Sequence, residues 1–236
     1  MIGVFDSGVG GLYSYRELRR MLPREDMIYL ADRRNCPYGT KTKEELTRLV
    51  REDLKRLREL GATDILAACC TASTVCPLLG AEETAGVLTL IAPTADFIAK
   101  NENRENRPIR VLVIATKHTA TSKAFSTEIT AALPRAKVTE WATQELVSFV
   151  EEGSTDGNLK VEAEKYLGDL CRRALDASPN YLVLGCTHFS HLKAEIGKRL
   201  PGIVTVNPAG LGALYLAKRI KEKRKASGHA KDLYIE

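Results

Sequence analysis

Short apolar runs alternate with amphipathic stretches along most of this chain, and that alternation restricts it to few folds. The runs lie at residues 2–5, 27–30, 64–68, 88–91, 111–115, 137–141, 181–184 and 203–206, and most are rich in Val, Ile or Leu. Brief apolar runs of this kind suit strands covered on both faces, as happens when helices pack on each side of a parallel sheet. The stretches between them read as helices. Residues 43–60 are the clearest, with Leu46, Leu49, Val50, Leu54 and Leu57 along one face and Gly61 just past the end, where a left-handed cap favours glycine. Residues 155–177 give a second helix, broken near its start by Gly157. The order β-α-β-α predicts an α/β fold with mainly parallel sheets.

Residues 100–108, KNENRENRP, carry no large apolar side chain and read as an exposed linker, with a Val-rich strand starting directly after them. A domain boundary is expected close by. There is also an internal echo: ILAACCTAST at residues 65–74 and LVLGCTHFSH at residues 182–191 both run from an apolar strand into Cys-Thr and then a helical pattern. Ligands of open α/β sheets bind at the carboxyl ends of strands, where side chains and the next helix N-terminus meet. Two such ends, one from each half, are placed to face each other across a cleft.

Composition removes several alternatives. The 236 residues are 44% hydrophobic and 28% charged, which excludes wholesale disorder and collagen-like repeats. No apolar run approaches the roughly 20 residues of a membrane span. The opening MIGVFDSGVGGL lacks a basic leader before a long apolar stretch, so no secretory signal is expected and the reading is cytoplasmic. The net charge of +5 comes from 35 basic and 30 acidic residues. Much of the excess sits at Lys218, Arg219, Lys221, Lys223, Arg224 and Lys225, which reads as a solvated helix end. With aromatics at 6% and no recognisable nucleic-acid-binding motif, neither nucleic acid nor membrane is an expected partner. The six cysteines, Cys36, Cys69, Cys70, Cys76, Cys171 and Cys186, form no C-x-x-C pair and no regular framework. Reduced thiols and no metal site are therefore expected, including no disulfide between the adjacent Cys69 and Cys70.

Three segments can carry chemistry. The first run leads into Asp6-Ser7-Gly8-Val9-Gly10-Gly11, where glycines let backbone approach a ligand. The spacing is not G-x-G-x-x-G and no P-loop lysine follows, so a tight βα turn capped by Asp6 or Ser7 explains it equally well. Cys36-Pro37-Tyr38-Gly39-Thr40 is a turn signature; over a cleft it presents Tyr38 and the Gly39 amide to a polar substrate. The two Cys-Thr ends are sharper, because a helix N-terminus or nearby cation activates a thiol, and His188 stands two residues after Cys186. Inversion at carbon needs an acid/base group on each face of the substrate, whereas a hydrolase or lyase built on Cys186 and His188 needs only one thiol.

The segments GVFDSGVGGL (3–12), PYGT (37–40), CCTAS (69–73) and LGCTHF (184–189) occur in the order seen in a known family. The chain resembles the glutamate racemases of the aspartate/glutamate racemase superfamily over nearly its whole length. That resemblance implies two α/β domains, residues 1–93 plus 207–236 and residues 94–206, with the active site in the cleft between them. It implies cofactor-independent interconversion of L- and D-glutamate, supplying D-glutamate for peptidoglycan, with neither pyridoxal phosphate nor metal. Carried over by position, Cys69 and Cys186 are the catalytic thiols, Asp6 assists the first, and Glu151 and His188 support the second. Asp6, Ser7, Pro37, Tyr38, Gly39, Cys70, Thr71, Thr116, Thr119, Thr187 and His188 line the substrate site. A homodimer stays open as an assembly.

The chain departs from the family pattern in places. Cys70-Thr71 stands where Asn-Thr is usual, and a thiol is a weaker donor and acceptor than an amide. The internal echo aligns Cys70 with Cys186, while the family register selects Cys69; Cys69 is preferred and Cys70 held second. Asp32-Arg33-Arg34-Asn35 replaces Asp-Thr-Ala-Arg, Thr143-Gln144 replaces Cys-Pro, and Asn207 stands where Asp is frequent. These departures bear on specificity, so another amino acid such as aspartate, or a binding protein with little turnover, is the alternative.

Overall fold

The computed structural model describes residues 1–102, 108–223 and 232–235. The elements run β1 (Ile2–Asp6), α1 (Leu12–Met21), β2 (Met27–Ala31), α2 (Lys43–Glu59), β3 (Asp64–Ala67), α3 (Cys70–Ser73), β4 (Val87–Leu88) and α4 (Ile91–Asn101). There follow β5 (Ile109–Ala115), α5 (Lys117–Ser122), α6 (Ala124–Ala132), β6 (Ala136–Ala142), α7 (Glu145–Glu151), α8 (Val161–Ala177), β7 (Tyr181–Gly185), α9 (Lys193–Arg199), β8 (Val204–Val206), α10 (Pro208–Lys223) and β9 (Asp232–Ile235). Two sheets result, one of order β4-β3-β1-β2-β9 and one of order β6-β5-β7-β8. Every pairing in both is parallel, so the α/β class read from the alternation is the class observed.

Strand alternation distributes the core. Phe5, Ile65 and Ala67 point to one face of the first sheet and pack with Leu46, Leu49, Leu54 and Leu57 of α2. Ile2, Val4, Leu66 and Ala68 point to the other face. They share a cluster with Val111, Val113, Tyr181 and Val183 of the second sheet, and with Leu18, Ile98, Ile129 and Leu216 from α1, α4, α6 and α10. The outer face of the second sheet, with Leu112, Ile114, Leu182 and Leu184, packs under α7, α8 and α9. Full burial of each such side chain contributes about 1.5–3 kcal/mol before entropy is counted. The central cluster therefore joins the two sheets into one body.

Local chemistry sets the element ends. α2 begins at a capping box, with Thr42 Oγ1 accepting from Glu45 N at 3.2 Å and Glu45 Oε2 accepting from Thr42 N at 2.9 Å. It ends before Gly61 at φ +91°, as expected for a left-handed cap.

Several sequence expectations are corrected. The run at 88–91 is only partly a strand: β4 stops at Leu88 and α4 starts at Ile91, its Pro93 falling in the first turn, where a missing N–H costs nothing. The expected linker at 100–108 begins too early. Residues up to Asn101 belong to α4, and Glu102 is buried with its carboxylate on the Tyr181 hydroxyl at 2.6 Å; residues 103–107 lie outside the described residues. The helix expected over 155–177 starts at Val161, because Thr155 and Asn158 bridge each other and Gly157 takes φ +77°. β9 went unread. Of the basic tail, Lys218 to Lys223 falls within α10, while Arg224 and Lys225 lie outside the described residues. Among the described residues no helix is long and apolar enough to cross a membrane.

Candidate active site

The carboxyl ends of four parallel strands converge where the sheets meet. β1 ends at Asp6, β3 runs on into Cys69, β5 into Thr116 and β7 into Cys186. Cys69 and Cys186 occupy equivalent places: each is the extended residue capping the next helical turn, at φ −131°, ψ 120° and φ −143°, ψ 138°. Each also packs into the outer cluster of its own sheet. The two-residue period of β3 sends Cys70 the other way, into the central cluster with Leu66 and Ala68. Alternation thus makes Cys69, not Cys70, the counterpart of Cys186. All six cysteines are free.

Behind Cys186 lies a charge-assisted chain. His188 Nδ1 is 3.6 Å from the Cys186 sulfur, and His188 Nε2 is hydrogen-bonded to Glu151 Oε1 of α7. The imidazole is 3% exposed. Burial disfavours its charged form, but the bonds to Cys186 and Glu151 outweigh burial and hold its pKa well above the usual histidine value. Each ring nitrogen of His188 thus has a partner, the Cys186 sulfur on one side and the Glu151 carboxylate on the other. Glu151 in turn is held below the usual range, chiefly by that hydrogen bond.

Cys69 sits in a different field. Its thiol faces Ser7 Oγ at 3.9 Å. Burial, then the charge of Asp6, pushes its pKa well up, against backbone N–H groups of Ala72 and Ser7. The expected activation by a following helix is small because α3 is only one turn long. Cys69 rests as a thiol. Cys186 across the junction adds a smaller upward push.

Asp6 ties the sides together. Its Oδ2 accepts from Gly8 N at 2.9 Å, and its Oδ1 accepts from the Thr187 hydroxyl at 3.2 Å. Opposite, Thr71 Oγ1 lies 3.0 Å from Thr116 Oγ1 and 3.1 Å from Thr119 Oγ1, while Thr116 donates to Thr119 at 2.9 Å. One hydroxyl from α3, after the first sheet's β3, and two from the start of α5, after the second sheet's β5, form a buried triangle, suited to carboxylate oxygens. The fit at the junction is close: a Cβ on Gly10 would lie 2.5 Å from Thr187 Oγ1 and 2.9 Å from His188 Nδ1. A Cβ on Gly39 would lie 2.8 Å from Gln144 Oε1 and 2.8 Å from Thr116 Cβ.

The site residues thus fall into four hydrogen-bonded groups: Cys69 with Ser7, Asp6 with Thr187, the Thr71–Thr116–Thr119 triangle, and Cys186 with His188 and Glu151. Pro37 is exposed at the rim, after a cis Cys36–Pro37 peptide. Tyr38 is differently used from the expectation: its hydroxyl bonds Asp32 and Asp53, so only the backbone of its turn faces the junction. Sequence reasoning missed Cys36, whose sulfur lies 3.3 Å from where a Gly8 Cβ would stand. Burial, then Glu151, raises its pKa; its place directly before the Pro37 turn was the available signal. It also missed Gln144, which accepts from Lys117 N at 3.3 Å.

Two parallel α/β lobes, each delivering a buried thiol to a shared junction at the strand carboxyl ends, define a two-lobed α/β enzyme class. The sequence profile of the Asp/Glu/Hydantoin racemase family matches residues 2–215, and the chain belongs to that family. It is 38% identical to the glutamate racemase of Gloeobacter violaceus over 98% of this chain and 84% of that one. It is 34% identical to that of Persephonella marina over 92% and 82%. Among solved structures, glutamate racemase from Francisella tularensis in complex with D-glutamate superposes with a TM-score of 0.84 at 27% identity, covering 100% of this chain and 88% of that one. The Thermus thermophilus enzyme in complex with beta-chloro-D-alanine gives 0.81 at 31% identity, covering 99% and 86%.

Proposed function

We propose that this protein is a cofactor-independent racemase interconverting L- and D-glutamate, with D-glutamate destined for peptidoglycan. The observation that carries the reading is the pair of thiols at equivalent strand ends, each with its own polar support. A thiolate on one side takes the Cα proton and becomes a thiol; the electron pair left on carbon is delocalised into the adjacent carboxylate. The opposite thiol gives its proton to the other face and is left as thiolate. Atoms balance, and the enzyme ends with its proton on the other sulfur. The His188 imidazolium, backed by Glu151, supports Cys186 as the first base, and Cys69, a thiol at rest, serves as first acid. Reversal of these roles handles the other enantiomer.

The hydroxyl triangle, Thr187, Ser7 and backbone N–H groups of the Tyr38–Thr40 turn are assigned to the substrate carboxylates. Water exclusion by the close-fitting junction protects the carbanion-like state. We divide the chain into residues 1–93 plus 207–236 and residues 94–206, a division supported by sheet membership, with α4 packing on both α6 and α10.

The test is proton NMR in D₂O on a panel of D- and L-amino acids that includes glutamate and aspartate. Solvent deuterium entering Cα of both glutamate enantiomers, with inversion, is expected. Exchange with aspartate alone reassigns the substrate. Binding without exchange of any acid overturns the enzyme reading.

A further inference from the structure

Tyr38 is 1% exposed, and its Oη lies 2.6 Å from Asp32 Oδ2 and 2.7 Å from Asp53 Oδ2. A phenol has one proton to give, so it donates to one carboxylate only; the second close contact requires a proton from the acid. Asp32 is half-buried, and Asn35 Nδ2 donates to both of its oxygens at 2.9 Å, so both oxygens already serve as acceptors. Asp53 is 7% exposed on the apolar face of α2, among Leu46, Leu49, Val50, Leu54 and Leu57. Burial lifts its pKa to about 7, the Tyr38 bond opposes this, Asp32 and Glu52 add to it, and Arg56 subtracts. The proton order that satisfies every contact is Asp53 Oδ2–H to Tyr38 Oη, and Tyr38 Oη–H to Asp32 Oδ2.

The charged groups facing this chain are Glu52 and Arg56 from α2 and Arg34 from the segment after β2. Together with Asp32, Asn35 and Asp53 they line a cavity of about 370 Å³. The other end of the chain is the substrate side. Tyr38 opens the turn Tyr38–Thr40, whose Gly39 packs on Thr116, a member of the hydroxyl triangle.

We propose that Asp53 is a positioning residue: its protonated carboxyl, donating to Tyr38, holds the Tyr38–Thr40 turn against Thr116 in the substrate-binding geometry, and loss of that proton loosens the turn. Once Asp53 has lost its proton, its oxygen and that of Asp32 are both acceptors competing for one phenolic proton, and one contact opens. The effect on turnover rests on the racemase reading; the effect on the turn does not.

The experiment follows KM and kcat for glutamate from pH 6 to pH 8.5 in the whole protein and in Asp53→Asn, whose amide N–H keeps the donor to Tyr38 and cannot ionise. Loss of one such hydrogen bond corresponds to about a tenfold rise in KM across that range in the unsubstituted protein, with kcat changing less. Asp53→Asn is expected to keep a flat KM. An equal KM rise in both proteins overturns the proposal, as does a flat KM in the unsubstituted protein. A readout independent of turnover is the Gly39 amide resonance in ¹⁵N-labelled protein. It is expected to titrate with a midpoint near 7, and to lose that step in Asp53→Asn. Absence of glutamate turnover with this step present defeats the racemase reading alone. No step, or the same step in Asp53→Asn, defeats the role given to Asp53.

Discussion

His188 hydrogen-bonds the Glu151 carboxylate through Nε2 while its Nδ1 faces the Cys186 sulfur at 3.6 Å. Both ring nitrogens are engaged, and the bonds to Cys186 and Glu151 hold the ring's pKa well above the usual histidine value. The sign of its pH dependence follows. A histidine whose folded pKa is raised stabilises the fold fully below its unfolded value of about 6.5, and that stabilisation fades as pH climbs through the folded value. Glu151 behaves oppositely, its contribution being lost as pH falls through its depressed folded pKa.

Glu151→Gln removes the carboxylate that helps hold His188 charged. The alkaline limb of kcat/KM is expected to move to lower pH, with activity at neutral pH falling about 10- to 100-fold, within the range of general acid–base contributions. Full pH–rate profiles of the two proteins check this; an unmoved alkaline limb counts against the imidazolium role.

Replacing either thiol by alanine should remove racemisation by about 10²- to 10⁴-fold without abolishing proton removal at the remaining sulfur. Cys69→Ala and Cys186→Ala are each expected to exchange the Cα proton of one glutamate enantiomer only, and opposite ones. Deuterium incorporation by NMR, enantiomer by enantiomer, reads this directly. Exchange of the same enantiomer in both variants contradicts the two-face arrangement.

Thr71→Val removes one corner of the hydroxyl triangle while keeping shape. Losing one such hydrogen-bonding group corresponds to about a 3- to 10-fold rise in KM, with kcat changed less. Steady-state kinetics on both enantiomers measures it, and an unchanged KM would place the carboxylates elsewhere.

Gly10→Ala drives a methyl into Thr187 and His188 across the junction. Overpacking of this kind costs about 1–3 kcal/mol, so a lowered melting temperature is expected, together with at least a tenfold loss in kcat/KM as His188 shifts. Calorimetry and kinetics together check it; a variant with both values intact shows that the junction yields.

Much of this was readable from the chain because period and placement coincide. The apolar runs marked both sheets, and the Leu46–Leu57 stripe with Gly61 gave α2 nearly to the residue. Cys69, Cys186 and the residues around them were legible as strand ends carrying thiols. What stayed hidden depended on partners distant in sequence. β9 is four residues, Asp232–Ile235, defined by pairing to β2, and no local pattern announces it. Asp53 was concealed by its neighbours: an acid three residues after Val50 in an apolar stripe carries no local sign of the buried partner it finds in Tyr38. Tyr38 read as a ligand contact because a sequence does not tell where a phenol points.

Cys69 and Cys186 are almost sealed, at 5% and 6% exposure. A maleimide in the surrounding solution reaches them only when the fold opens locally, so the speed of their alkylation becomes a clock for how often the molecule breathes. Substrate saturating the junction should slow that clock, and the extent of slowing measures how firmly an occupied molecule keeps itself shut.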